Sequence, residues 1–185
     1  MLQGLSLTWD LEKIFPGGSQ SEELNRFMED LKQRLDALKE KITSGKSPQT
    51  LEEGENWAKV IDTIQEVSRR LVEAGAFLSC LTAQNVKDEK AKLLYGKVQQ
   101  FFADFNGMLT LLDEQILHMP DEIWNQLLEE DHLKEISFPL EERRMKAKAR
   151  MNPLLERLAT DLAVDGYHAW GEYYSTLVGR MVIPF

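Results

Sequence analysis

The chain has 185 residues, about one domain's worth at roughly 150 residues per domain. It carries 31 acidic against 22 basic side chains, a formal charge of −9, with 43% apolar and 29% charged residues. That balance belongs to a globular chain rather than a disordered or membranous one, and it disfavours nucleic acid and anionic lipid as partners. The lone cysteine, Cys80, excludes an internal disulfide framework, and its neighbours Ala76, Phe77, Leu78 and Leu81 suggest a buried, inert thiol. The longest uncharged run, residues 74–86, is about 13 residues, too short to span a bilayer. No basic segment leads into an apolar one at the start, so a cytoplasmic protein is expected.

The opening, Leu2 to Pro16, reads as irregular and ends in the Pro16-Gly17-Gly18 turn signal. Ser19 with Glu22 has the spacing of a capping box. Behind it Leu24, Met28, Leu31, Leu35, Leu38 and Ile42 recur at alternating steps of 4 and 3, a seam on one face of a long helix. Gly45 and Pro48 stop that helix. Thr50 with Glu53 offers a second capping box. The next seam runs Val60, Ile64, Val67, Leu71, Ala74, Leu78, Leu81, widened by Trp57 and Ile61, with Gly54 and Gly75 as weak points. A third helix, capped near Asn85 or Asp88, carries Leu94, Val98, Phe101, Phe105, Met108 and Leu112. Its Gly96 and Gly107 each cost about 1 kcal/mol against alanine, which suggests close helix approach. Short connections make the three helices antiparallel neighbours, with seams inward.

The second half is more broken. Pro120-Asp121-Glu122 starts a short helix with Ile123, Trp124, Leu127 and Leu128. Ser137 to Leu140 reads as a turn, with Pro139 suited to a first helical turn, followed by a helix over residues 141–151. Asn152-Pro153 then has the form of a cap with proline in the first turn. Leu154, Leu155, Leu158, Leu162, Trp170, Tyr173, Tyr174 and Leu177 lie on helical periods, with a kink expected near Gly166 and an end at Gly179. Met181-Val182-Ile183 has the composition of a strand, which would pair with Leu5-Ser6-Leu7 or continue into further structure; continuation is the favoured expectation. The expected class is therefore all-α. An arm and three long helices would fill residues 1–118, shorter helices and a terminal strand residues 119–185, in one compact unit.

Little in these residues carries chemistry. His118, His132 and His168 are never one turn apart, so the His-Glu-x-x-His pattern of a zinc hydrolase is absent. There is no Gly-x-Ser-x-Gly elbow, and Gly17-Gly18 lacks the spacing and lysine of a phosphate loop. Glu129-x-x-His132 and Asp165-x-x-His168 each place a carboxylate and an imidazole on one helix face, as di-iron bundles do. The seams offer no inward glutamate to complete such a site, so these are expected as surface residues near helix ends. Arg143, Arg144, Lys146, Lys148 and Arg150 concentrate positive charge. The plain reading is a solvated face paired with Glu141 and Glu142; the sharper one is a dock for a peptide carboxylate or an acidic partner. Trp170, Tyr173 and Tyr174 could line a cleft, but at helical spacing they are expected in the core. No catalytic, cofactor-binding or metal-ligating residue is assigned.

Certain motifs nonetheless suggest a family. Trp9-Asp10-Leu11 followed by Ile14-Phe15-Pro16-Gly17, just before a long amphipathic helix, resembles the opening of oligoendopeptidase F-like zinc metallopeptidases, of the thimet-oligopeptidase-like superfamily. Ser68 to Leu81 is similar to the family's second long helix. Gly166-Tyr167-His168-Ala169-Trp170, with Tyr174 and Leu177, resembles its Trp-x-x-Leu-Tyr-x-x-Leu stretch, with Tyr173 where leucine is usual. The basic run from Arg143 to Arg150 is longer than the family pattern leads one to expect. The resemblance implies the N-terminal, non-catalytic helical lobe of an oligopeptide-cleaving metalloendopeptidase. The zinc, its His-Glu-x-x-His ligands and the glutamate base would lie in a catalytic domain beyond residue 185, the lobe's own partner. Such a lobe restricts the cleft to short peptides and is inactive alone. The rival expectation is a free-standing helical module that binds a protein through its basic patch or an apolar edge.

Overall fold

The computed structural model describes residues 9–150 and 153–181. Among them every regular element is helical: α1 (Glu22–Ser44), α2 (Leu51–Gln84), α3 (Glu89–His118), α4 (Asp121–Leu128), α5 (Asp131–Lys134), α6 (Ser137–Ala149), α7 (Pro153–Ala163) and α8 (Ala169–Arg180). A π turn, Val164–His168, joins the last two. The chain divides into two compact units, residues 1–144 and 145–185, and the division falls inside α6.

In the first unit the three long helices form the body. Leu24, Met28, Leu31, Leu35, Leu38 and Ile42 are all buried on α1. Ile64, Val67, Leu71, Ala74, Leu78 and Leu81 are buried on α2, with Trp57 and Ile61 beside them. On α3 the buried set includes Leu94, Val98, Phe105, Met108 and Leu112. The contacts fix direction. Lys90 at the start of α3 reaches Gln20 before α1, while Gln115 near the end of α3 bonds Ile42 near the end of α1 and Trp57 near the start of α2. So α2 runs antiparallel to both neighbours. Phe15 pins the irregular arm, edge-on to Phe27 at 5.4 Å and to Phe77 at 4.9 Å.

The caps follow the expected chemistry with one shift. Helix α1 is capped by Ser21, whose Oγ accepts from the Leu24 N–H at 3.2 Å; Ser19 is buried in the preceding 3-10 turn instead. The reason is backbone shape: Gly17 and Gly18 take positive φ, and the turn they make uses up residues 18–20 before the helix begins. Thr50 caps α2 by accepting from Glu53 N–H, and the Glu53 carboxylate accepts from Gln49 N–H at 2.7 Å. Asp88 caps α3 through Ala91 N–H, a bond that holds its carboxyl below the usual range.

The glycines reverse their expected roles. A methyl at Gly96 or Gly107 would meet nothing within 4 Å, so neither marks close packing. The close approaches are at Gly54, where an added Cβ would lie 2.8 Å from Leu127, and at Gly75, 3.0 Å from Phe102. Helix α6 begins at Ser137, taking in the segment expected as a turn, because Pro139 sits in the first helical turn where no N–H is needed.

The second unit contains α7, the π turn and α8 as one continuous rod. The expected strand at Met181-Val182-Ile183 is not supported. Helix α8 runs through Gly179 to Arg180, and Met181 N–H closes its last turn on the Val178 carbonyl at 3.1 Å. A strand also needs a neighbour to satisfy its backbone, and no strand exists among the described residues. Val182 to Phe185 and Leu5 to Leu7 lie outside the described residues, as does Asn152.

Candidate functional site

Two residues that break the apolar pattern organise the first unit. Gln115 follows Leu112 by three residues, so the seam of α3 places its amide inside the bundle. Its Nε2 donates to the Ile42 carbonyl at 2.9 Å and the Gly45 carbonyl at 3.3 Å, and its Oε1 accepts from Trp57 Nε1 at 3.1 Å. Ser47 Oγ donates to the Gln115 carbonyl at 2.7 Å. One side chain thereby satisfies the last carbonyls of α1 and the indole of α2.

Arg144 occupies the same kind of position on α6, between the buried Leu140 and Ala147. Its guanidinium donates to the Met119 carbonyl just after α3, lies 3.0 Å from the Asp121 carboxylate, and sits over the Trp124 ring at 4.9 Å. Trp124 in turn meets Trp57 edge-on at 6.2 Å. Next to it Arg143 donates through Nε to the buried Asp113 carboxylate at 2.8 Å and through a terminal nitrogen to the Leu109 carbonyl. For Arg143 and Arg144 these partners, Asp113 and Asp121, come in addition to the neighbouring Glu141 and Glu142 that the sequence suggests. Both acids belong to other helices, far outside the three- and four-residue spacings that pair charges within α6.

Beside Arg143 is a groove of about 470 Å³, floored by Ile61, Ile64, Phe105, Leu109 and Leu140 and rimmed by Arg69 among others. Both rim arginines are already neutralised, Arg143 by Asp113 and Arg69 by Glu66 at 2.7 Å. The groove therefore suits an uncharged apolar group better than a carboxylate.

The aromatic cluster of the second unit is not core. Trp170, Tyr173 and Tyr174 are 68%, 58% and 68% exposed, with Trp170 and Tyr173 edge-on at 6.3 Å. Leu155, Leu158, Leu162 and Leu177 are exposed as well. Helical spacing marks a common face, but it does not decide whether that face is buried.

The residues weighed for metal chemistry remain apart. Glu129 is exposed and lies 3.8 Å from Lys134; His118 is 3.8 Å from Glu114 on the same helix; Asp165 is exposed in the π turn. The side chains of His132 and His168 lie outside the described set. Among the described residues no three His, Cys, Asp or Glu side chains come together to hold a metal ion. Cys80 is half-buried rather than buried. No helix among the described residues is long and apolar enough to cross a membrane.

Comparison with known proteins gives one match. Residues 115–182 fit the family model of the oligopeptidase F N-terminal region. No curated protein and no solved structure matches the chain. The matched segment begins at Gln115 and takes in Arg143, Arg144 and the Gly166 to Trp170 motif with Tyr174 and Leu177, whereas the Trp9 opening and Ser68 to Leu81 fall outside it. Over residues 115–182, a little over a third of its length, the chain is thus similar to the N-terminal region of oligopeptidase F.

Proposed function

We propose that this chain is the non-catalytic helical lobe of a zinc metalloendopeptidase acting on short oligopeptides in the cytoplasm, and that it shapes and restricts the substrate cleft. The observation that carries the reading is the family match, which falls on the segment holding Arg143, Arg144 and the exposed aromatic residues Trp170, Tyr173 and Tyr174. Short peptides and a catalytic domain are its partners; nucleic acid and membrane are not, given a charge of −9. Zinc belongs to the catalytic domain and supplies a Lewis acid there. The groove beside Arg143 contributes an apolar, charge-neutralised wall that accepts uncharged peptide side chains.

Two measurements test this. The purified chain should cleave no peptide with or without added zinc, and zinc-dependent cleavage would refute it. The source reading frame should continue past codon 185 and encode His-Glu-x-x-His on a helical pattern; a stop codon there would remove the reading. A second reading, a free-standing interaction module, is favoured by the apolar face of α7 and α8, and a stop codon would bring it forward.

A further inference from the structure

Helix α6 is tied to the first unit unlike the long helices. Helix α1 buries six apolar side chains, whereas among the described residues the continuous core reaches α6 only at Leu140. The remaining ties are polar. Arg143 donates to Asp113 and the Leu109 carbonyl, and Arg144 to the Met119 carbonyl beside its pair with Asp121. The two arginines differ in their surroundings. Asp113 is buried, but Asp121 is exposed, so water screens the Arg144 pair. Arg144 is 6% exposed, yet its Nε–H has no acceptor within the protein. A buried donor without a partner weakens the docked state, and lifting it into water would satisfy it.

The groove beside Arg143 has one wall on this helix and one off it. Pro139 and Leu140 ride on α6, whereas Ile61 and Ile64 belong to α2, and Phe105 and Leu109 to α3. We infer that α6 is a strap along that groove, latched by Arg144, which lifts while the three long helices stay packed. Lifting breaks a few polar ties and uncovers one leucine of the core, a far smaller loss than parting the long seams. The turn at residues 135–136, just before α6, supplies the pivot. The position of α6 thereby sets the width of the groove. This inference does not depend on the peptidase reading, since it concerns one helix and the groove it borders.

Native-state thiol labelling of the whole chain, on a Cys80→Ser background, tests it. Leu140→Cys puts a thiol beneath the strap, and Leu71→Cys puts one in the seam of α2, where only global unfolding exposes it. Both variants lose the same buried leucine, so the truncation itself is matched. With labelling slower than reclosing, the thiol at position 140 should react about 100-fold faster than the one at 71. Its rate should also rise less steeply with urea, because lifting a strap exposes less surface than unfolding does. Arg144→Lys, which keeps the charge and loses the planar fork, should speed labelling at position 140 about tenfold. Equal rates and equal urea slopes at the two positions would mean that α6 leaves only when the whole unit melts. Labelling at position 140 that ignores Arg144→Lys would remove the latch. Either result overturns the proposal.

Discussion

Gly54 and Gly96 look alike in sequence, each a glycine inside a helix, and the packing separates them. At Gly54 a methyl would press on Leu127, which is 1% exposed and has nowhere to go. Strain of about 1–3 kcal/mol there outweighs the helix gain of about 1 kcal/mol, so Gly54→Ala should destabilise while Gly96→Ala should stabilise. Urea midpoints of the two variants, moving in opposite directions, check this. Glu66 shows a second residue-scale effect. Bonds from Arg69 and then Arg70 hold its carboxyl at about 2, against about 4.3 for an unfolded glutamate. A depressed folded value means the stabilisation is complete above the unfolded value and drains away as pH falls from about 4 to about 2. The Tm difference between the wild type and Glu66→Gln should therefore be constant near neutrality, shrink from about pH 4 and vanish only below about pH 2; a difference that grew on acidification would contradict the assignment. Arg70 also reaches Asp30 on α1 at 3.0 Å. The Asp30 carboxyl is lowered by its bond from Arg34 and, less, by Arg70, so its protonation in acid weakens this contact between α1 and α2 as well.

At the scale of elements, the alternating 4-3 seams made α1, α2 and α3 legible, because a helix buried on one side must repeat its apolar residues on that side. The same rule extended to Gln115 and Arg144 would have flagged both, each a polar residue on an apolar seam. What sequence periodicity does not carry is the identity of the partner. Arg143 and Arg144 read as solvated because their nearest acids in sequence are Glu141 and Glu142, whereas the acids they meet are Asp113 and Asp121, on α3 and at the start of α4. Periodicity also marks a face without saying whether anything covers it, which is why Trp170, Tyr173 and Tyr174 were expected inside. Arg144 is the attachment of α6. Arg144→Ala leaves the Met119 carbonyl buried without a donor and uncovers Trp124, at a cost of about 2–3 kcal/mol. The exposed Asp121 adds little to that figure. Arg144→Lys, with a compact ammonium in place of the planar fork, should recover less than half of the loss in the same urea titration.

For the molecule as a whole, stability is unevenly distributed. The first unit has a continuous core from Leu11 to Leu140. The α7–α8 rod has helical hydrogen bonds but little burial, and a solitary helix is marginal in water. Amide hydrogens of α2 and α3 should exchange slowly at any protein concentration. Those of residues 153–180 should exchange quickly, and hydrogen exchange resolved along the chain reads the contrast directly. The four tryptophans happen to sample these regimes separately. Trp57 and Trp124 are buried together, and Trp9 and Trp170 are exposed. Their emission should accordingly contain a blue component that shifts only when the three-helix body melts and a red component quenched by dissolved iodide. Trp170→Phe would leave Trp9 as the remaining red emitter, so the difference between the two spectra isolates Trp170 and reports on the α8 segment with no dye attached.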